Sequence, residues 1–129
     1  MLSFRRMTMN HSRMSQNKRT VEAYMDGFRR TDRPAILSCL TSDVEWLIPG
    51  VFHVHGREEF DKHIVDAGFE GKPAIDVTRL TEENDVVVAE GSVRAGRTDG
   101  TTVTIAFCDV FEMQRGKIRR LVSYLVVTK

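Results

Sequence analysis

The side chain whose setting most needs a chemical explanation is Asp109, in the run Thr104-Ile105-Ala106-Phe107-Cys108-Asp109-Val110-Phe111-Glu112-Met113. Alternate residues of a strand share a face, so Asp109 lies on the side that carries Val103, Ile105, Phe107, Phe111 and Met113. A carboxylate there is costly unless it is hydrogen-bonded, paired, protonated, or turned toward a cavity that holds water or ligand. A basic side chain of the last strand, such as Arg120, would pair it; a protonated acid in a pocket would instead be a hydrogen-bond donor. His53 and His55, in Phe52-His53-Val54-His55-Gly56, sit two apart and share one side of an extended segment. A neutral imidazole titrates near physiological pH, so either suits proton transfer. As metal ligands the pair lacks an evident third donor at suitable spacing, and we expect neither metal nor cofactor. Solvent-exposed loop histidines are the simpler account of both. Tyr24 falls on the apolar stripe of a helix, as a core residue with its hydroxyl at a wet edge or as a donor in a site. His63, one turn from Glu59, reads as a surface residue.

These groups need elements to position them. Val21, Tyr24, Met25 and Phe28 follow the i, i+3, i+4, i+7 spacing of a helix from Gln16 to Arg30. Asp32 caps a second, short helix with Pro34 in its first turn and Ile36, Leu37 and Leu40 on its apolar face; Thr41-Ser42-Asp43 ends it. Val44 to Ile48 is a strand stopped by Pro49-Gly50. The loop Val51 to His55 leads into a third helix, opened by Gly56 with Glu58 and Glu59 in its first turn and buried along Phe60, Ile64 and Ala67. Beyond Gly68 the helical period stops. Ala74–Thr81, Val86–Ala95, Thr101–Met113 and Lys117–Val127 are strands joined by short turns, hence consecutive hairpins. Helices followed by an antiparallel meander predict an α+β domain, with the helices covering one face of a strongly bent sheet.

Composition narrows the function classes. The chain has 129 residues, enough for one domain with a real core, and its 19 basic and 18 acidic residues leave a net charge of +1. With no basic stripe interleaved with exposed aromatics, nucleic-acid binding is not expected. The longest apolar run, Leu121 to Val127, is broken by Ser123 and Tyr124 and is too short for a membrane span. Residues 1–15 carry charge without the apolar centre of a secretory signal, so we read them as a flexible tail and expect a soluble, cytoplasmic protein whose single domain spans residues 16–129. Met14 is an alternative natural start. Cys39 and Cys108 form no ligand spacing and read as reduced thiols, and the Asn10-His11-Ser12 acceptor has no secretion route to give it meaning. No phosphate-cradling glycine loop is present.

The order of elements, with AYMDGFRRTDRPAILSCLTSDVEWLIPG, HGREEFDKHI and FCDVFEMQRGKIRRLVSYLV, resembles the NTF2-like superfamily, in its SnoaL-like or ketosteroid isomerase-like branch. The match covers about residues 17 to 127; its cues are the acid closing the first helix (Asp32), the acid before the first strand (Asp43), Pro49-Gly50, Gly56, and the long final strand pair about Gly116. The resemblance implies a cone-shaped barrel with a deep apolar pocket, commonly dimeric through the sheet. It also implies an oxyanion site in which Tyr24 and a protonated Asp109 both donate to one substrate oxygen. The family's base carboxylate should fall just before the Pro-Gly bend, where this chain has Leu47 and Ile48. Steroid isomerisation in the strict sense is therefore not expected, and His53 or His55 is left as the replacement base. Phe28, Trp46, Phe52, His55, Phe107 and Phe111, with Phe69, are the expected pocket residues. Members of such a fold include isomerases, polyketide cyclases, epoxide hydrolases and dehydratases, so fold alone does not choose the chemistry. The expectation is a cofactor-independent isomerase, cyclase, dehydratase or hydrolase of a small apolar carbonyl or polycyclic compound. The alternatives are a non-catalytic binder of an apolar small molecule and a dimeric interaction module.

Overall fold

Helix α1, Gln16–Arg30, starts at Ser15, whose side chain accepts from the Lys18 amide at 3.0 Å, and ends at Thr31 in the left-handed conformation (φ 50°). The computed structural model that gives this geometry describes residues 14–65 and 69–129. Most of the expected tail, residues 1–13 with Asn10-His11-Ser12, and Ala67 of the third helix's apolar line lie outside the described residues. The stripe read from the sequence is the buried face: Val21, Tyr24 and Met25 are in the core and Phe28 packs against it. Asp32 caps α2, Arg33–Leu37, by accepting from the Ala35 amide at 3.2 Å.

Thr41-Ser42-Asp43 does not end the helix: these residues already belong to β1, Leu40–Ile48, which runs parallel to the last strand. The Ile118 amide donates to the Cys39 carbonyl at 2.8 Å, and the Arg57 guanidinium donates to the Leu40 carbonyl at 2.7 Å, so distant partners draw this segment into the sheet. The expected loop Phe52–His55 is a strand, β2, paired antiparallel with β1. Helix α3, Gly56–Lys62, buries Phe60 completely, and a two-bond Arg33–Asp61 pair (2.9 and 2.8 Å) ties α2 to it.

The remaining strands are β3, Phe69–Glu83, β4, Val86–Arg97, β5, Thr102–Gln114, and β6, Lys117–Val127. The β3–β4 and β5–β6 turns each use two residues of positive φ, Asn84-Asp85 (51° and 62°) and Arg115-Gly116 (52° and 77°), the hairpin geometry that matches strand twist. Together the six strands form one open sheet in the order β2-β1-β6-β5-β4-β3, antiparallel except at β1–β6. Its two edge strands are not joined, so the cone is a curved sheet lined by helices and not a closed barrel. Bulges between Glu70 and Ala74 and between Val77 and Arg79 bend β3 over β4. Gly91 makes room for that bend: a Cβ there would lie 2.1 Å from the Asp76 carbonyl oxygen and 2.9 Å from the Phe107 ring. Cys39 and Cys108 are free thiols. No helix among the described residues is long and apolar enough to cross a membrane.

Candidate functional site

A cavity of about 230 Å³ opens between the inner end of α1 and the concave face of the sheet. Helix α1 contributes Tyr24, Met25 and Phe28; β1 contributes Trp46 and Ile48; Pro73, Ile75 and Val93 come from β3 and β4; Phe107, Asp109, Ser123 and Leu125 come from β5 and β6. Alternation along each strand explains the selection, since Trp46 and Ile48, Phe107 and Asp109, and Ser123 and Leu125 are each two apart.

Asp109 is 8 % exposed, and its Oδ1 is a buried acceptor with no hydrogen-bond partner among the described residues. Ser123 faces it directly across the β5–β6 pair. Burial pushes the Asp109 carboxyl up to about 7, against a smaller pull downward from its hydrogen bond with Ser123. The Ser123 hydroxyl oxygen in turn accepts from Trp46 Nε1 at 3.1 Å, which leaves the hydroxyl proton free for the carboxyl. Trp46, Ser123 and Asp109 thus form a short polar chain under an apolar roof. Tyr24 is held well above its ordinary pKa, first by burial and then by the nearby Asp109 charge, so its hydroxyl keeps its proton as a donor. The aromatic shell is tight: Tyr24 meets Phe28 and Phe111 edge-on at 5.0 and 5.4 Å, and Trp46 stacks on Phe60 at 4.4 Å.

The pairing of Asp109 with Arg120 does not form. Arg120 lies among Glu112, 3.1 Å away, and Glu45, 3.7 Å away. Phe28, Trp46 and Phe107 stand in the cavity wall, whereas Phe52 and Phe111 are not among the residues lining it. Phe111 is fully buried behind Tyr24, and Phe52 packs on Trp46 at 5.1 Å and on His63 at 4.4 Å. Phe69, at the start of β3, is not in the lining either.

The histidines require the largest correction. His53 and His55 are 45 % and 65 % exposed and flank Glu45, to which His53 Nε2 lies at 2.8 Å. Because Phe52 and Val54 turn inward against the core, the intervening histidines must turn outward, away from the cavity. Neither stands among the residues that line the cavity. Ile48, at the position expected for the base, lines the cavity as an apolar residue. Asp109 and Tyr24 are its titratable lining groups.

Ser123 was not foreseen. A two-residue turn at Arg115-Gly116 would set Val122 opposite Asp109, but a one-residue shift in the pairing between Glu112 and Met113 brings Ser123 there instead. Ile75 and Val93 were visible as strand residues, but their place in the wall depends on the bend of β3.

Among solved structures, the chain is similar to an NTF2-like protein of unknown function from Burkholderia pseudomallei K96243, with 24% identity, a TM-score of 0.78, and coverage of 88% of this chain and 92% of that one. An LEH-like epoxide hydrolase from M. tuberculosis aligns with 18% identity and a TM-score of 0.76 over 86% of this chain and 83% of the other. TerC, crystallised with polyporic acid, is 27% identical with a TM-score of 0.76 over 88% and 92% of the two chains. No curated protein matches the chain significantly. The model of the SnoaL-like domain matches residues 21–121, from the core face of α1 to the middle of β6. With its helices over an open six-stranded sheet and most of its length inside that match, the chain belongs to the SnoaL-like family, on an NTF2-like fold.

Proposed function

We propose that the protein binds a small, mainly apolar molecule in the cavity, with one oxygen of the ligand seated against Asp109. The observation that carries this is the buried carboxyl of Asp109, a residue of the cavity lining whose Oδ1 has no hydrogen-bond partner among the described residues. A buried polar atom left unsatisfied costs about 1–3 kcal/mol, and a ligand hydroxyl or acid group that donates to it, or a carbonyl that accepts from the protonated carboxyl, recovers that cost. The cavity of about 230 Å³ lies below the roughly 300–1,000 Å³ of sites for drug-sized ligands, which favours a compound of one or two rings. TerC, with polyporic acid in its crystals, is a precedent on this fold for an oxygen-bearing organic acid as ligand.

Turnover is the second reading, and the Asp109 carboxyl at about 7 favours it, because both protonation states are then populated near neutral pH. One carboxyl that gives and takes back a proton, with Tyr24 holding the oxygen, suits a cofactor-independent isomerase, cyclase, dehydratase or hydrolase. Ile48 in place of an acid speaks against a separate carboxylate base. A homodimer through the sheet is part of the proposal, supported by the apolar, solvent-exposed end of β6, where Val126 and Val127 are each 63% exposed.

The chain's single tryptophan stands in the cavity wall, so ligand binding should change its emission. Small aromatic and alicyclic ketones, phenols and acids titrated into the protein should quench or shift Trp46. Asp109→Asn should weaken binding of the best ligand by about ten-fold or more, and Tyr24→Phe by a smaller factor, in line with loss of one or two polar contacts. Equal affinity in wild type and both variants would overturn the assignment of the ligand's oxygen to these groups.

A further inference from the structure

The face of the β1–β2 hairpin turned away from the cavity gathers three donors that the sequence keeps apart. The antiparallel register sets Glu45 opposite His55 and Leu47 opposite His53. Trp46, Ile48, Phe52 and Val54 occupy the inner positions, which leaves Glu45, His53 and His55 to project together outward. Glu45 Oε2 is 2.8 Å from His53 Nε2 and 3.4 Å from His55 Nε2, and the three ligand atoms all lie within 4.8 Å of one another. Donors about 2.0–2.2 Å from a tetrahedral ion are about 3.3–3.6 Å apart, so small side-chain rotations bring all three to bonding distance of one centre.

We propose that Glu45, His53 and His55 form a binding site for one divalent first-row transition ion, Zn²⁺ by chemistry, with its fourth position open to water. Two imidazoles and a carboxylate select such ions over Ca²⁺ and Mg²⁺, which prefer all-oxygen shells. Arg120 approaches the other oxygen, Oε1, at 3.7 Å and so orients Oε2 toward the histidines, while Glu112 at 3.1 Å offsets the arginine's charge. The rings stand 4.7 Å apart at 41°, splayed from a parallel stack, and both histidines are accessible to an ion from solvent. The site is independent of the cavity reading, since the sheet separates the two.

The test uses the full, tag-free chain. Co²⁺ should bind at one ion per chain with the visible absorption of a low-coordinate nitrogen and oxygen site, and Zn²⁺ should displace it. In the unmodified protein, Zn²⁺ should shift the ring resonances of His53 and His55 and leave His63 unmoved. Loss even of a supporting contact typically weakens a metal site about 10–100-fold, so Glu45→Gln and His55→Gln should each cost at least about ten-fold, and His53→Gln/His55→Gln should abolish Co²⁺ absorption. These side chains lie at the surface, and His63→Gln serves as a folded control with unchanged affinity. Absence of a Zn²⁺ effect on the His53 and His55 resonances, or Co²⁺ affinity unchanged in the double variant, would overturn the site.

Discussion

Replacing Asp109 with asparagine tests the electrostatics of the cavity floor directly. Burial raises the Asp109 carboxyl from 3.8 to about 7. Between those values the unfolded chain has released this proton while the native protein still holds it. Native stability therefore falls as pH rises through that window, by about 1.4 kcal/mol per pH unit, and levels off above about 7. Over the full interval the penalty approaches about 4 kcal/mol. Asparagine keeps the shape and one donor but carries no ionisable proton. Urea unfolding of both proteins at about pH 5 and about pH 8 isolates the effect, because all other titrations are common to the pair. The advantage of Asp109→Asn over wild type should grow by about 3 kcal/mol between the two conditions, since about two of the three pH units of the window lie above pH 5. A stability difference that stays constant from acid to alkaline conditions would refute the claim that this carboxyl is held protonated by burial.

Gly91→Ala should destabilise the fold by about 1–3 kcal/mol and distort the cavity, because the new methyl group would meet the Asp76 backbone at 2.1 Å and the Phe107 ring at 2.9 Å; chemical denaturation and Trp46 emission would check both effects. Wild-type stability retained in that variant would mean that β3 does not press on β4 at this point. Sedimentation or light scattering should find the wild type dimeric, and Val126→Asp should shift it to monomer without loss of helix or strand signal; a wild-type monomer at high concentration removes the sheet-mediated dimer.

The helix stripe of Val21, Tyr24 and Met25, the Asp32 cap and the last two hairpin turns were legible because each follows from local pattern. The strand at Phe52–His55 was not, since four residues with two histidines resemble a loop until β1 supplies their partners. Thr41–Asp43 failed for the same reason: three polar residues without an apolar period follow Cys39 and Leu40 into the strand, and those two carbonyls are held by Ile118 and Arg57, which are distant in sequence. Once β2 is a strand, the outward direction of His53 follows from Phe52 pointing in, so one missed element carried one missed site residue with it. Asp109 was visible from its face alone. Its neighbour Ser123 was hidden by a one-residue bulge, which no propensity announces.

The parallel pairing of β1 with β6 has a consequence for the order in which the molecule can assemble. β6 follows the other described strands in the chain and sits between β1 and β5, so the β1–β2 hairpin has no place in the sheet until β6 is present. The β3–β4 and β4–β5 hairpins close over short chain distances, whereas the β1–β6 seam closes a loop of most of the chain, the slow kind of contact. The cavity straddles that seam, with Trp46 and Ile48 on one side of it and Ser123 and Leu125 on the other. A nascent or truncated chain ending before Lys117 therefore lacks a whole wall of the cavity. On the proposed function, the ligand site is complete only once β6 has formed, and a bound ligand would clasp β1 and β6, far apart in sequence, together.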